Sequence, residues 1–192
     1  MRIISGKRRG MILLPPKTSG TRPITDRVKE SIFNILYNKG YPEDKRVADV
    51  FCGTGSFGIE SISRGASFCL FVEKDFRVVD VLKKNLEKAQ FLSESKIISG
   101  NAFKIGAPAD FDQPGFDLVF VDPPYALSRD TALDSPLGKM LLILAGQINP
   151  DGLAVVRTED HIEVLDEYGS LKVIDRRQWG TMKVAFLQNQ KQ

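Results

Sequence analysis

Apolar positions recur along this chain with two alternating periods. Val28, Ile32, Phe33, Ile35 and Leu36 fall on one side of a helix that Thr25 can cap. Asp26 and Glu30 lie near its positive end, and Gly40 stops it. Helical spacing returns over 57–64, 76–90 and 137–147; in the second of these Val79, Leu82, Leu86 and Ala89 keep register. Residues 47–51, 68–73, 96–99, 116–122 and 153–158 are short apolar runs bounded by turn residues, and they read as strands. Residues 171–177 and 183–187 are β-like runs around Trp179-Gly180. No helix separates them, so they must pair as an antiparallel hairpin at a sheet edge.

The start of the chain follows neither period. Ile3-Ile4 and 11–14 flank a Gly-and-basic turn, a hairpin with a cationic tip at Lys7, Arg8 and Arg9. Pro15, Pro16, Gly20 and Pro23 make an irregular linker. Two segments follow: a basic hairpin and linker over 1–24, and a larger body over 25–192. Strands alternating with helices predict right-handed βαβ units. The body is therefore an α/β, doubly wound, mainly parallel seven-stranded sheet, covered on both faces and closed by an antiparallel C-terminal hairpin. Ligands in such sheets bind outside the carboxyl ends of the strands.

Composition narrows the classes. The 192 residues, 42% hydrophobic and 27% charged, fit one domain with a small extension. A chain of this length buries about 70% of its unfolded surface without disulfides or metal. The longest apolar run, 140–145, is far short of the ~20 residues of a bilayer span. The opening MRIISGKRRG has no apolar h-region, so no secretory signal is expected. Cys52 and Cys69 are the two cysteines, neither in a CxxC, and His161 is the one histidine. Disulfide scaffolds and Cys- or His-rich metal sites are excluded, and the expectation is a cytoplasmic protein with no membrane or metal partner. The net charge of +3 conceals an asymmetry: residues 1–46 hold 11 Lys+Arg against 4 Asp+Glu, and the remainder 16 against 20. A basic arm on a mildly acidic body points to a polyanion partner; the alternative is a solvated basic tail.

Candidate chemistry falls on strand ends. Asp49-Val-Phe-Cys-Gly53-Thr-Gly55-Ser-Phe-Gly58 follows a strand and opens a helix. Its glycines permit a tight turn and close approach of a ligand to the backbone. Glu73 ends the next strand, twenty positions after Gly53, where a carboxylate can accept both hydroxyl protons of a ribose. The pair predicts a nucleoside-containing ligand, without separating a dinucleotide from another adenosine cofactor. After the fourth strand comes Asp122-Pro123-Pro124-Tyr125. Two prolines cannot extend a strand, and they fix a rigid turn holding a carboxylate, a bare carbonyl and an aromatic ring. That set suits a flat base with an exocyclic amine.

These motifs resemble the S-adenosylmethionine-dependent amino-methyltransferases that act on nucleic-acid bases. Arg2-Ile-Ile-Ser-Gly6-Lys-Arg-Arg-Gly10, Arg22-Pro-Ile-Thr25-Asp26-Arg27-Val-Lys-Glu30-Ser-Ile-Phe33-Asn34, Ser63-Arg64-Gly65-Ala66 and Trp179-Gly180-Thr181 narrow the resemblance to the bacterial RsmD family, over essentially the whole chain. The resemblance implies a class I, Rossmann-like methyltransferase fold. It implies methylation of guanine N2 in 16S ribosomal RNA, with S-adenosylmethionine consumed and S-adenosylhomocysteine released. It places Asp49, Phe51, Gly53, Thr54 and Gly55 at the methionine end of the cofactor. Glu73 and Lys74 then lie at the ribose, Asn101 and Ala102 at the adenine, and Asp122 beside the methyl group. Asp122, Pro123 and Tyr125 become the catalytic residues, with Pro124 beside the target base. The family carries Asp where this chain has Asn101, which still accepts a hydrogen bond but without charge.

The body fills 46–190, so recognition of RNA falls to the loop near Tyr125 and Arg129 and to Lys7, Arg8, Arg9, Lys17 and Arg22 as phosphate contacts. The implied partner is ribosomal RNA in an assembled small subunit, and the implied state a monomer. Other residues read as structural: Cys52 as filler, Cys69 as core, His161 at the surface near a short helix, Trp179 covering a sheet edge, and Lys83, Lys84 and Lys88 as a solvated face. Three rivals remain. A DNA adenine-N6 or cytosine-N4 methyltransferase shares both motifs, but usually carries a recognition domain for which this chain has no room. An NAD-dependent oxidoreductase explains residues 53–58 and Glu73, and gives Asp122-Pro123-Pro124-Tyr125 no role. A non-enzymatic RNA-binding module explains the arm alone.

Overall fold

The computed structural model describes residues 1–16, 24–109 and 115–191. Lys17 and Arg22 lie outside the described residues. The chain divides at Gly100–Asn101 into a first unit, Met1–Gly100, and a second, Asn101–Gln192.

In the first unit, Thr25 caps α1 (Asp26–Tyr37) through its Oγ1, which accepts from Val28 N–H at 3.4 Å. Such a cap contributes about 1 kcal/mol. Gly40, at φ +83, turns the chain after the helix. Then follow β1 (Arg46–Val50), α2 (Ser56–Ser63), β2 (Phe68–Glu73), α3 (Phe76–Ala89) and β3 (Ser95–Ser99). The three strands are parallel in the order β3-β2-β1, with Val47 opposite Cys69 and Leu70 opposite Lys96. α3 buries the expected Val79, Leu82, Leu86 and Ala89, and also Asn85. Gly58 brings α2 onto β2: a Cβ there would sit 2.2 Å from Phe71 Cε1.

The N-terminal hairpin forms, with Arg2 bridged to Ile12, and it is docked onto the unit along its length. Its anchor is Glu60, fully buried on α2. The carboxylate accepts from Ile4 N–H (2.7 Å) and Ser5 N–H (3.0 Å), and pairs with Lys29 (3.1 Å) and Arg64 (2.7 Å). Lys29 is also fully buried and donates to the Arg2 carbonyl at 2.7 Å. Burial pushes the Lys29 ammonium's pKa down, and Glu60 opposes the shift. Leu14 exchanges hydrogen bonds with the Asn85 amide (2.8 and 3.2 Å), which also donates to the Thr54 carbonyl at 3.0 Å. Lys88, expected on a solvated face, is exposed but donates to the Ile12 carbonyl at 2.8 Å.

The second unit holds α4 (Ala102–Ile105), β4 (Phe116–Val121), α5 (Pro136–Gln147), β5 (Ile148–Glu159), β6 (Glu167–Tyr168), β7 (Leu171–Trp179) and β8 (Met182–Asn189). Its strand order is β4-β5-β8-β7-β6. β4 and β5 are parallel; the other pairings are antiparallel. Ser135 caps α5, accepting from Gly138 N–H at 3.0 Å, and the helix buries Leu137, Met140, Leu141 and Leu144 completely. Each such side chain contributes about 1.5–3 kcal/mol.

The α/β class is as expected, with three corrections. Eight strands are present among the described residues rather than seven. The extra one, β6, has two residues, too few for a periodic signal. Second, the terminal hairpin does not simply close an edge: β8 lies inside, between β5 and β7, and β6 is outermost. Its apolar run Val184–Leu187 is buried accordingly. Third, His161 is exposed in a turn after β5, where no helix forms. No helix among the described residues is long and apolar enough to cross a membrane. None of their His, Cys, Asp and Glu side chains cluster in threes to hold a metal.

Candidate active site

Two sets of side chains stand at strand ends, one in each unit. The first begins where β1 stops. Phe51 takes φ +61, a left-handed conformation uncommon for a bulky residue, and turns the chain into the glycine loop. Gly53 (φ +55) and Gly55 (φ +90) continue that turn. A Cβ on Gly55 would lie 2.6 Å from Leu82 Cδ1, so the loop packs tightly against α3 there. A Cβ on Gly53 would meet nothing within 4 Å, so this stretch of backbone is open to a ligand. Asp49 is 1% exposed, and its Oδ2 accepts from Gly58 N–H at 2.8 Å. Thr54 is buried, and its carbonyl accepts from Asn85. Asp49 and Asn85 thus fix the loop from beneath.

Glu73 ends β2. Its Oε2 accepts from Gly53 N–H at 3.1 Å, and its Oε1 from Lys74 N–H and Asp75 N–H, both at 2.9 Å. Twenty residues of chain are closed by one carboxylate. Oε1 thus has both lone pairs engaged, and Oε2 keeps a further one for a hydroxyl donor. An open glycine backbone beside an acceptor-only carboxylate fits the ribose end of an adenosine cofactor, and S-adenosylmethionine meets those requirements. The Lys74 side chain is exposed. Cys52 and Cys69 are buried, and burial raises both thiol pKa values well above the usual range, with the nearby Asp49 carboxylate adding to it.

The second set lies at the ends of β4 and β5. Asp122 follows Val121, which is paired with Val156 in the parallel ladder. Arg157 is the next residue of β5. Its Nε donates to Asp122 Oδ1 at 2.5 Å, and its Cζ stands 5.8 Å from the centre of the Tyr125 ring. Burial pushes the Asp122 carboxyl up from the ordinary carboxylate range, and the Arg157 guanidinium opposes that shift. Pro123 is buried, and among the described residues no donor is bonded to its carbonyl. Pro124 and Tyr125 open a short 3-10 turn in which the Pro124 carbonyl accepts from Leu127 N–H at 2.8 Å. Arg129 is exposed beyond it, 3.6 Å from Glu159 Oε2. Asn101 caps α4, accepting from Phe103 N–H at 3.1 Å, and Ala102 is buried behind it. Asn and Asp serve equally well as caps, so the departure from the family's Asp leaves the turn intact.

Two residues escaped the sequence reading. Lys29 is fully buried, and its helical spacing to Ile32, Phe33 and Leu36, which puts it on the apolar face of α1, was the available signal. Arg157 directly follows the buried apolar run Leu153–Val156 of β5, and a charge at the carboxyl end of such a run was the available signal. One expected contact needs correction. Arg8 does not project from the hairpin tip: its Nε donates to the Ala89 carbonyl at 2.6 Å, its Nη2 bonds Gln90 Oε1, and its guanidinium lies over the Phe91 ring. The carbonyls at the end of α3 attract a cation, and Arg8 supplies it. Lys7 and Arg9 remain exposed at the tip.

Known proteins resemble this chain in sequence and in fold. A Haemophilus influenzae protein named ribosomal RNA small subunit methyltransferase D is 36% identical over 159 residues, 83% of this chain and 79% of that protein. An Escherichia coli structure described as "Putative methyltransferase yhhF" matches with a TM-score of 0.80 and 28% identity, covering 100% of this chain and 99% of that one. A Salinibacter ruber RNA methyltransferase solved with S-adenosyl-L-homocysteine matches with a TM-score of 0.64 over 89% of this chain and 95% of that one; at 15% identity it shows the fold alone. The family described as Conserved hypothetical protein 95 matches residues 1–188, and the chain belongs to it, the RsmD family that its motifs resemble.

Proposed function

We propose that this chain is an S-adenosylmethionine-dependent ribosomal RNA methyltransferase that methylates the exocyclic N2 of one guanine in small-subunit RNA. The observation that carries the reading is the turn Asp122-Pro123-Pro124-Tyr125, which holds a carboxylate, a carbonyl and an aromatic ring together at the end of β4.

When bound, S-adenosylmethionine supplies a methyl group on a positively charged sulfonium. The open backbone at Gly53 and the loop from Asp49 to Gly55 hold its methionine end, Glu73 with Lys74 its ribose, and Asn101 with Ala102 its adenine. The chain's remaining task is positioning. The guanine N2 lone pair is delocalised into the ring and attacks poorly. Asp122 and the Pro123 carbonyl accept its two hydrogens, which favours a pyramidal nitrogen with the lone pair free. The same acceptors stabilise positive charge as it develops on nitrogen. Asp122 need not act as a strong base, because the amine becomes acidic once alkylated. Tyr125 stacks on the base, a contact worth ~1–3 kcal/mol, and a loop nucleotide enters more cheaply than a paired one. Lys7, Arg9 and Arg129, with Lys17 and Arg22, contact phosphates, while Arg8 holds the hairpin in place. The enzyme acts as a cytoplasmic monomer, without metal, on the assembled particle.

The test is transfer of a radiolabelled methyl group to small subunits from a strain lacking the enzyme, to their extracted RNA and to unmethylated DNA, followed by digestion to nucleosides. N2-methylguanosine from RNA or particles supports the reading. Label in N6-methyladenine or N4-methylcytosine of DNA replaces the substrate and keeps the chemistry.

A further inference from the structure

We propose that Arg157 is the positioning residue of the acceptor clamp, fixing the Asp122 carboxylate and the Tyr125 ring with one guanidinium. This rests on the reading of Asp122 and Tyr125 as the residues that hold the target base.

Three observations converge on this side chain. Its Nε is 2.5 Å from Asp122 Oδ1, and its Cζ is 5.8 Å from the Tyr125 ring centre. Its side chain is only 9% exposed, although it is an arginine at the end of a strand. Its Nη1 is buried without a hydrogen-bond partner among the described residues. A buried guanidinium with an unsatisfied nitrogen is expensive, and a well-packed apolar residue would serve stability at least as well. A role in holding the clamp accounts for the cost.

The geometry gives that role a form. A carboxylate on the flexible end of a side chain can rotate about χ2, whose torsional wells are broad. With Oδ1 held by Nε, the rotation stops and Oδ2 is left as the acceptor for the base amine. A paired guanidinium also favours the ionised form of the buried carboxylate, against the effect of burial. An ionised carboxylate presents acceptors alone, which matches guanine, whose N1–H and N2–H are adjacent donors. Adenine and cytosine have no ring N–H donor beside the amine. The guanidinium face on Tyr125 then sets the plane in which the base stacks.

The experiment compares R157M, R157K, D122N and D122N/R157M with the full-length wild type, using methyl transfer to unmethylated small subunits. Circular dichroism and S-adenosylmethionine binding report folding and the cofactor set independently. R157M is expected to lose about a hundred-fold in kcat, the scale of a misplaced reacting group, with cofactor affinity and KM for the particle little changed. R157K keeps a charge but loses the planar fork, and should recover only part of that loss. D122N/R157M should be no slower than D122N, because Arg157 acts through Asp122. Wild-type kcat in R157M, or full additivity in the double variant, overturns the proposal. If R157M does not fold, R157K decides: reduced kcat at unchanged KM supports the proposal, and wild-type kcat overturns it. A wild-type enzyme that leaves guanine N2 unmethylated would instead defeat the functional reading itself.

Discussion

The Gly53 amide and the Glu73 carboxylate meet at 3.1 Å, joining the loop after β1 to the end of β2. The hydrogen bond orders the loop before any ligand arrives and aims the carboxylate along it. Glu73→Gln replaces an acceptor with a donor at that junction. Hydrogen bonds to charged groups contribute about 1.5–3 kcal/mol, so cofactor affinity should fall at least ten-fold. Titration calorimetry with S-adenosylhomocysteine would show it, and an unchanged affinity would remove Glu73 from the ribose.

The acid limb of the methyl-transfer rate should lie above the ordinary carboxylate range. Burial raises the Asp122 carboxyl and Arg157 opposes the rise, and only the ionised form accepts from the amine. Activity is lost as pH falls through the raised value. Removing Arg157 should move the limb higher. The stability contribution has the opposite sense: a raised folded pKa favours the native state below the unfolded value of about 3.9, and that gain disappears as pH climbs through the folded one. Activity and this part of stability therefore change in opposite directions with pH. A limb at or below the ordinary range would contradict an ionised Asp122 in transfer.

Glu60→Gln should destabilise the protein by about 3–5 kcal/mol, the usual result of leaving a buried charge without its partner. Lys29 and Arg64 would lose their counter-charge, and the new amide NH2 would face either the Ile4 and Lys29 donors or the Ser5 and Arg64 donors. Gly6→Ala should act at the same place, since its Cβ would stand 1.7 Å from the Ser63 carbonyl oxygen. Urea unfolding measures both, and a change below about 1 kcal/mol for E60Q would mean that the hub relaxes around the loss.

Lys7→Ala and Arg9→Ala should each reduce the log–log salt slope of RNA binding by roughly 0.7–0.9 while leaving stability alone. Arg8→Ala should do the reverse, because that guanidinium is engaged at the end of α3. A slope that responds to Arg8 and not to Lys7 or Arg9 would reverse these assignments.

Native Cys52 and Cys69 should resist iodoacetamide near pH 8 and react after unfolding. Both thiols are buried, and their raised pKa values leave little thiolate. Rapid labelling of Cys52 in the folded protein would indicate that the glycine loop opens readily.

Most of the α/β order was legible because long amphipathic or apolar segments carry their own period. α3 announces itself through Val79, Leu82, Leu86 and Ala89, and β2 through six residues ending in Glu73. The third glycine of the loop was also visible, although its purpose, close packing of α2 on Phe71, belongs to tertiary structure. What could not be read depends on pairing across the fold. Lys29 is buried only because Glu60 meets it from α2. Arg157 is tolerated at the end of a buried apolar run only because Asp122 stands beside it. β6 exists only as the partner of β7. Arg8 looked like a free cation because the end of α3 that receives it lies 81 residues away.

That distance governs how the first unit is assembled. Ile4 waits for Glu60 across 56 residues, Leu14 for Asn85 across 71, and Arg8 for Ala89 across 81. The opening segment leaves the ribosome before any of its partners and makes few lasting contacts of its own. Loop-closure entropy must be met before those distant contacts reward it. Its docking is therefore a late step, possible only after α2 and α3 have formed. The segment serves as the closing latch of the first unit, reporting that the elements beneath it are already in place.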